Sequence, residues 1–354
     1  MDLTKIDKNF LQKTNIPTKN ITFYNADQAP MELLGVSRVG EIYARMDLDL
    51  AASVGVGLHD LSQHTSGGRV RFMTDSLYVA IACKLPKRDN MHRVASIPPH
   101  MTRICRRGVD IYADGRFRAT FGPASDNAIA YTGIREFPTK SMREIEIYLP
   151  VADTINSLHI GLEADAKVVP CAPLEKRMVL YGSSITQGLY TTRPGNTYPA
   201  IAARKLGWDF LNLGFAGNAK GEAVVAHYIK KLPMDVFVYD YDHNAPDAAH
   251  LAKTHKPFFD IIRAENPNLP IVMMTRPDYQ SATKEEIDAR KAVIYDTYKQ
   301  AVESGDKNVY FIDGATLWGE EDYDCCTIDR CHPNDLGMLR MAQKLVETIR
   351  NINA

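Results

Sequence analysis

The sequence predicts an α/β protein in which an antiparallel, jelly-roll-like β-sandwich precedes a parallel sheet covered by helices. Three observations lead there. Apolar and polar residues alternate with period two through the first half. Short continuous apolar runs alternate with helical segments through the second. The rhythm changes after the proline-bearing stretch Pro170-Cys171-Ala172-Pro173, the candidate linker. With 354 residues the chain exceeds one ordinary core and suits two domains, residues 1–170 and 171–354.

In the first half, residues 20–24, 41–45, 69–73 and 143–149 alternate clearly, and 77–81 and 116–121 less cleanly. Ser66-Gly67-Gly68, Asp114-Gly115 and Gly122-Pro123 supply turns between them. Many short strands at this spacing describe a sandwich. No helix of useful length is expected to interrupt them.

In the second half the strands are expected at residues 177–181, 210–213, 235–239, 270–274 and 308–312. Helices are expected at 198–206, 221–230, 247–265, 284–303 and 334–351. Continuous apolar strands between helices imply a sheet buried on both faces. Such sheets carry their chemistry at the carboxyl ends of the strands.

Composition narrows the function. Apolar residues make up 45% and charged residues 24%, an ordinary globular balance. A formal net charge of -1 provides no basic field for a polyphosphate, which argues against nucleic acid as a partner. No run of eighteen apolar residues is present and the start, Met1-Asp2-Leu3-Thr4-Lys5, lacks a secretion signal. The expectation is a cytoplasmic protein with no membrane partner. Six cysteines are too sparse for a disulfide framework. Cys325, Cys326 and Cys331 cluster before His332 without a CxxC pair, so free thiols are expected rather than a metal site. His59, His64, His92 and His100 show no ligand spacing and are read as ordinary surface or packed histidines.

The segments at the strand ends carry the chemistry. The first strand leads into Gly182-Ser183-Ser184-Ile185, the second into Gly214-Phe215-Ala216-Gly217, and the third into Asp240-Tyr241-Asp242-His243-Asn244. Asp329-Arg330-Cys331-His332-Pro333 precedes the last helix. A serine hydroxyl needs a base within hydrogen-bond reach. His332 suits that task, and Asp329, three residues earlier, can hold one imidazole nitrogen while the other faces Ser184. Candidate oxyanion donors are the backbone N–H groups of Ser184 and Gly217 and the side-chain amide of Asn244. Each residue alone has a structural reading: Gly217 as a loop bend, Asn244 as a helix cap, Asp329 as a turn cap.

The second half resembles the SGNH/GDSL hydrolases, named for Ser, Gly, Asn and His in four blocks. Gly182-Ser183-Ser184-Ile185 resembles the first block, with Ser183 where many members carry Asp. Gly217 matches the second. Asn244 matches the third, although its neighbours Asp242 and His243 differ from the usual Gly-x-Asn-Asp. Asp329-x-x-His332-Pro333 matches the last. The likeness covers roughly residues 175–354, in the correct chain order. Gly108-Val109-Asp110-Ile111-Tyr112 resembles the GxDLY signature of the β-rich domain ahead of some SGNH hydrolases.

The resemblance implies a three-layer α/β/α, flavodoxin-like domain of five parallel strands. It also implies a serine esterase needing no metal or organic cofactor and acting on a small-molecule or oligosaccharide ester. The leading expectation is removal of a short acyl group, most often acetyl, from a carbohydrate or other small polar molecule. An acyltransferase would use the same triad with an acceptor alcohol. A carbohydrate-binding protein with an inactive hydrolase domain is the non-enzymatic alternative. Sandwiches of this family often pack against partners, so a homo-oligomer is a candidate state. Asp242, His243 and Arg276 are candidate substrate contacts. Their alternatives are loop stabilisation for the first two and a surface salt bridge for Arg276. The stretch Arg193-Pro194-Gly195-Asn196-Thr197-Tyr198 is either a pocket rim or a loop leading into a helix. Asp110 and Tyr112 are read as hairpin or interdomain-packing residues.

Overall fold

The computed structural model describes residues 15–87, 100–278 and 280–352. The alternating first half forms strands β1 (Ile21–Asn25), β2 (Glu32–Leu34), β3 (Ser37–Val39), β4 (Ile42–Ala44), β5 (Arg69–Thr74), β6 (Tyr78–Lys84), β7 (Val109–Ala113), β8 (Arg116–Phe121), β9 (Ala130–Glu136), β10 (Arg143–Tyr148), β11 (Ser157–Glu163) and β12 (Val168–Val169). One antiparallel sheet runs β1-β11-β6-β9 and the other β12-β5-β10-β7-β8, with β2 also paired to β5. Period-two alternation aims one face of each sheet inward. Val70, Phe72, Ile111, Ile145 and Ile147 of one sheet share a core with Val79, Ile81, Leu158 and Ile160 of the other. Two facing antiparallel sheets with this shared core are the expected sandwich.

One expectation fails here. Helices α1 (Leu48–Val54), α2 (Val56–Ser62) and α3 (Arg103–Arg107) interrupt the first half. Asp47 caps α1 by accepting the Leu50 N–H at 2.8 Å. At five to seven residues, these helices show too little of the 3.6-residue period to be seen in sequence. Met46, Ala51 and Leu58 do not enter the sandwich core. They pack with Leu213, Phe215, Val225 and Ala226 of the second half.

The second half forms β13 (Arg177–Gly182), β14 (Asp209–Gly214), β15 (Val236–Asp240), β16 (Ile271–Met274) and β17 (Val309–Ile312). All pair in parallel, in the order β14-β13-β15-β16-β17. The helices are α4 (Ser184–Gln187), α5 (Tyr198–Leu206), α6 (Ala223–Ile229), α7 (Ala248–Glu265), α8 (Lys284–Glu303), α9 (Ala315–Trp318) and α10 (Asp335–Ile352). Adjacent residues of one strand enter different cores. Val179 and Tyr181 pack with Phe258 and Ile262 of α7, while Met178 and Leu180 pack with Met341 and Leu345 of α10. That double burial is why the strands read as continuous apolar runs. The chain leaves β13 for β14 on one side and later returns to β15 on the other. This reversal opens a crevice at the carboxyl end of β13, where α4 starts.

Buried polar contacts tie the sandwich to the parallel sheet. Arg69 on β5 pairs with Glu146 at 3.1 Å and with Asp209 on β14 at 2.5 Å. Arg45 donates to the carbonyls of Asn212 and Gly214 at 2.9 and 2.7 Å. Asp110 on β7, within the GxDLY-like motif, is fully buried and accepts from Arg193 at 2.9 Å and from the Gly195 N–H at 2.8 Å. Burial pushes its carboxyl above the usual range even though Arg193 and Gly195 pull it back. Tyr112 accepts from Arg193 at 2.6 Å. A side chain at Gly195 would meet the Tyr112 hydroxyl at 2.6 Å and Asp110 at 2.9 Å, so the close approach requires glycine. The stretch from Arg193 to Tyr198 is thus a loop leading into α5, clamped by the sandwich, with Thr197 capping the helix through the Ala200 N–H.

Candidate active site

Ser183 and Ser184 follow β13 directly. The buried Ser183 side chain accepts the Ile185 N–H at 3.1 Å and caps α4. Ser184 is the first residue of α4, and the hydrogen bonds of a helix leave its N–H without an intrahelical partner.

Ser184 Oγ lies 2.9 Å from His332 Nε2, across 148 residues of chain. His332 Nδ1 lies 2.8 Å from Asp329 Oδ2. Asp329 Oδ1 accepts the backbone N–H of His332 at 2.7 Å and of Cys331 at 3.0 Å. The left-handed φ of 71° at Arg330 folds the turn back so that the carboxylate reaches both. Burial raises the Asp329 carboxyl, but the His332 N–H, the His332 ring and the Cys331 N–H outweigh it, and the group stays below the ordinary carboxylate range. With Asp329 ionised, Nδ1 carries the proton and Nε2 is left to accept from the Ser184 hydroxyl.

Gly217 and Asn244 meet beside this chain of contacts. The Gly217 N–H donates to Asn244 Oδ1 at 3.2 Å, and Asn244 Nδ2 donates to the Phe215 carbonyl at 2.7 Å. These two bonds fix which way the amide faces and leave one Nδ2 proton uncommitted. Gly217 holds φ at 67°, a conformation that favours glycine.

Two candidate substrate contacts are engaged in ion pairs within the protein. Asp242 is buried, with Oδ1 accepting from Arg290 Nε at 2.9 Å and Oδ2 from the Arg276 N–H at 2.9 Å. Arg290 also donates to the carbonyls of Asp242 and Ala245. Asp242 is therefore a brace for the loop that carries Asn244. The Arg276 guanidinium forks onto the buried Asp278 through Nε and Nη2 at 2.8 and 2.6 Å, and Nη2 also donates to Ser281 at 3.0 Å. A charge near a strand end is visible in sequence; the buried partner that neutralises it is not. His243 does reach the site. Its ring centroid is 6.2 Å from that of His332, and its Nε2 is 2.7 Å from Cys331 Sγ. Burial lowers its pKa, with Asp278 opposing and Arg276 and His332 adding.

Three neighbours carried no sequence signal of their own. Tyr190, at φ 72°, lies against His332 with ring centroids 4.3 Å apart. His100 also stacks on Tyr190, at 4.9 Å, and its Nε2 is 3.7 Å from Asp329. Gln187 accepts the Ala216 N–H at 3.1 Å and donates to Val151 at 3.0 Å, which fixes the Gly217 loop against α4. Its Nε2 also lies 3.2 Å from the ring of His64, whose pKa burial lowers to about 3, with Arg45 adding. His92 lies outside the described residues. A cavity of about 1180 Å³ opens beside the Gly217 loop, lined by Ala216 and Asn218 together with Asp60, His64, Lys84 and Asn156 of the first half.

Residues 175–350 match the model of the GDSL-like lipase/acylhydrolase family, and residues 21–168 match the GxDLY model, the N-terminus of SGNH-type esterases. The chain belongs to the SGNH/GDSL hydrolases. A crystal structure from Bacteroides ovatus, assigned as a GDSL-like lipase, is similar to this SGNH hydrolase at 28% identity and a TM-score of 0.82, over 94% of this chain and 98% of that one. A salicylyl-acyltransferase from a tetracycline biosynthetic pathway shares the fold at 20% identity and a TM-score of 0.77, over 96% of this chain and 99% of that one. An acetyl xylan esterase from Butyrivibrio proteoclasticus shares it at 12% identity and 0.60, over 94% and 98%. Comparison with curated proteins gave no match. Among the described residues, no helix of the SGNH hydrolase is long and apolar enough to cross a membrane.

Proposed function

We propose that the chain is a serine esterase that removes short acyl groups, acetyl above all, from a carbohydrate or other small polar alcohol. The observation that carries the reading is the continuous chain Ser184 Oγ, His332 Nε2, His332 Nδ1, Asp329 Oδ2, with spacings of 2.9 and 2.8 Å. In this reading Ser184 Oγ attacks the ester carbonyl as its proton passes to His332 Nε2. The oxyanion is met by the Ser184 N–H, the Gly217 N–H and the free Nδ2 proton of Asn244. The Gly217 N–H turns from Asn244 Oδ1 toward the developing charge. His332 then protonates the leaving alcohol, and water attacks the acyl-enzyme with the same imidazole as base.

One feature supports the polar alcohol. The fold is shared with enzymes described as carbohydrate esterases, whose identity of 17% or less makes this a likeness of fold. The test is a series of p-nitrophenyl esters of increasing acyl length and a set of acetylated sugars, assayed with wild type and Ser184→Ala, with and without an acceptor alcohol. Acetate release from the sugars by wild type alone is expected. Undiminished hydrolysis by Ser184→Ala, or a preference for long acyl chains, would overturn the reading; acyl transfer outrunning hydrolysis would make the protein a transferase.

A further inference from the structure

Tyr190 holds φ at 72°, a left-handed conformation that bulky side chains rarely adopt. Such a conformation is costly and persists only where its surroundings over-determine it. Here both flanks are pinned. The N–H groups of Gly188 and Leu189 donate to the carbonyl of Ser184 at 3.0 Å, so the chain entering Tyr190 hangs from the segment that carries the serine. The chain leaving it is fixed by Asp335, which accepts the Thr192 N–H at 2.9 Å and Asn196 Nδ2 at 2.8 Å. Asp335 opens α10, three residues beyond His332. The Thr102 hydroxyl, from the first half, donates to the Thr192 carbonyl at 3.0 Å. Tyr190 thus sits on a bridge between the segment of Ser184 and the segment of His332.

What the bridge delivers is a ring. The Tyr190 and His332 centroids are 4.3 Å apart with planes 37° apart, too close for the rings to meet edge to edge, so the imidazole lies against the phenol's face. That face is the negative side of the aromatic quadrupole and attracts a cation within about 6 Å. Burial, then Asp329, Cys331 and Cys105, hold the phenol above its ordinary value, so the hydroxyl stays neutral and the ring face is what His332 meets. We propose that Tyr190 is a positioning residue of the reaction: it orients the His332 imidazole toward Ser184 Oγ and stabilises the imidazolium formed when Nε2 takes the serine proton. The charge exists only after that transfer, so the contact strengthens toward the transition state. The inference rests on the assignment of Ser184 and His332 as nucleophile and base. Other groups face the same imidazole: Asp329 Oδ2 at 2.8 Å from Nδ1, Cys331 Sγ at 4.0 Å from Nε2, and the His243 ring at 6.2 Å with Asp278 behind it. His100 stacks on Tyr190 at 4.9 Å and lies 3.7 Å from Asp329, so its own titration bears on the site.

The test compares Tyr190→Phe, which keeps the ring, with Tyr190→Leu, which keeps apolar bulk without it. Tyr190→Asn, tolerant of the left-handed conformation, replaces the second should it fail to fold, as judged by circular dichroism. Each is made in the wild-type and His100→Gln backgrounds, so that titration of His100 is separated from that of His332. On p-nitrophenyl acetate, Tyr190→Phe should stay within about threefold of wild type in kcat. Tyr190→Leu should lose about 3- to 30-fold in kcat, with KM changed by less than about twofold. The acid limb of kcat/KM should move to lower pH in Tyr190→Leu by about 0.5–1.5 pH units, because a less stabilised imidazolium releases its proton more readily; Tyr190→Phe should leave it in place. An NMR titration of the His332 ring, assigned with His332→Gln, should show the same fall. Equal losses in the Phe and Leu variants, or an unmoved His332 titration in folded Tyr190→Leu, would overturn the proposal. A His332 titration that falls in Tyr190→Leu, in a protein whose wild type hydrolyses no ester, would uphold the ring contact and sink the esterase reading instead.

Discussion

Asp329 grips His332 at two points, one carboxylate oxygen accepting its backbone N–H at 2.7 Å and the other facing Nδ1 at 2.8 Å. The same carboxylate therefore sets both the turn that presents the ring and the tautomer the ring adopts. Asp329→Asn should keep the first contact, since an amide oxygen still accepts, and spoil the second. Loss of kcat on the order of 10³–10⁴, with little change in melting temperature, is the expected result. Steady-state kinetics on a p-nitrophenyl ester checks it; a variant with near-normal kcat would remove Asp329 from the triad.

Ser184→Ala should abolish turnover without unfolding the chain, because the hydroxyl's hydrogen-bond contact is with His332. A fall in kcat of about 10⁵ or more is expected for loss of a nucleophile. Active-site titration with a fluorophosphonate should label wild type at one site per chain and leave the variant unlabelled.

Asn244→Ala removes the amide that fixes the Gly217 N–H and supplies the free Nδ2 proton. It should lower kcat about 10²- to 10³-fold while KM changes little, because the lost bond forms only as charge develops on the oxyanion. A rise in KM at unchanged kcat would assign Asn244 to substrate binding.

Asp110→Ala tests the clamp between the halves. It strips Arg193 of its buried partner and leaves the Gly195 N–H without an acceptor. A loss of roughly 3 kcal/mol is expected, at the low end for a broken buried pair because Arg193 keeps some access to solvent. In urea unfolding, Asp110→Ala with Arg193→Ala should cost less than the sum of the two single changes. Strict additivity would show that the pair is not coupled.

Asp240, beneath α4, is raised to about 7 by burial, with the hydrogen bonds from Tyr198 and Thr186 opposing and Asp242 and Asp278 adding. A carboxyl whose folded pKa exceeds its unfolded value binds more protons when folded. Its contribution is fully present below about pH 4 and is lost as pH rises toward the folded value. Asp240→Asn cannot ionise and still accepts from both hydroxyls. Its melting temperature relative to wild type should therefore climb between about pH 4 and 7 and level off above. A pH-independent difference would contradict the assignment.

Much of the fold and of the candidate site was legible because local chemistry determined it. Strands buried on both faces must be continuously apolar, and helices covering them must carry a 3.6-residue stripe. The five parallel strands and the five helices expected between and after them lie within one or two residues of the expected positions. Strands β1, β4, β5, β6, β8 and β10 of the sandwich follow from period-two alternation in the same way, whereas β7, β9 and β11 were not read as strands although they are five to seven residues long. Where an element was too short to show a period, it was missed. The helices at 48–62 are the case in point, and their apolar residues serve the core of the other half. Ser184, Gly217, Asn244, Asp329 and His332 stood out because each follows a strand or leads into a helix at one sheet edge.

Partnership was decided only by the tertiary structure. Sequence marked Asp242 and Arg276 as charges near the pocket, but the buried groups that consume them, Arg290 and Asp278, come from α8 and from the loop after β16. Tyr190, His100 and Gln187 carry no motif and acquire meaning only from what they touch. The reason is physical: periodicity and turn chemistry act over a few residues of chain, whereas a charge or a ring is satisfied by whatever the fold brings within about 3–5 Å. By itself, the sequence determined the two architectures, the order of the blocks and the candidate site residues. Only the fold could bring Ser184 and His332 to 2.9 Å across 148 residues and place a thiol beside their shared proton.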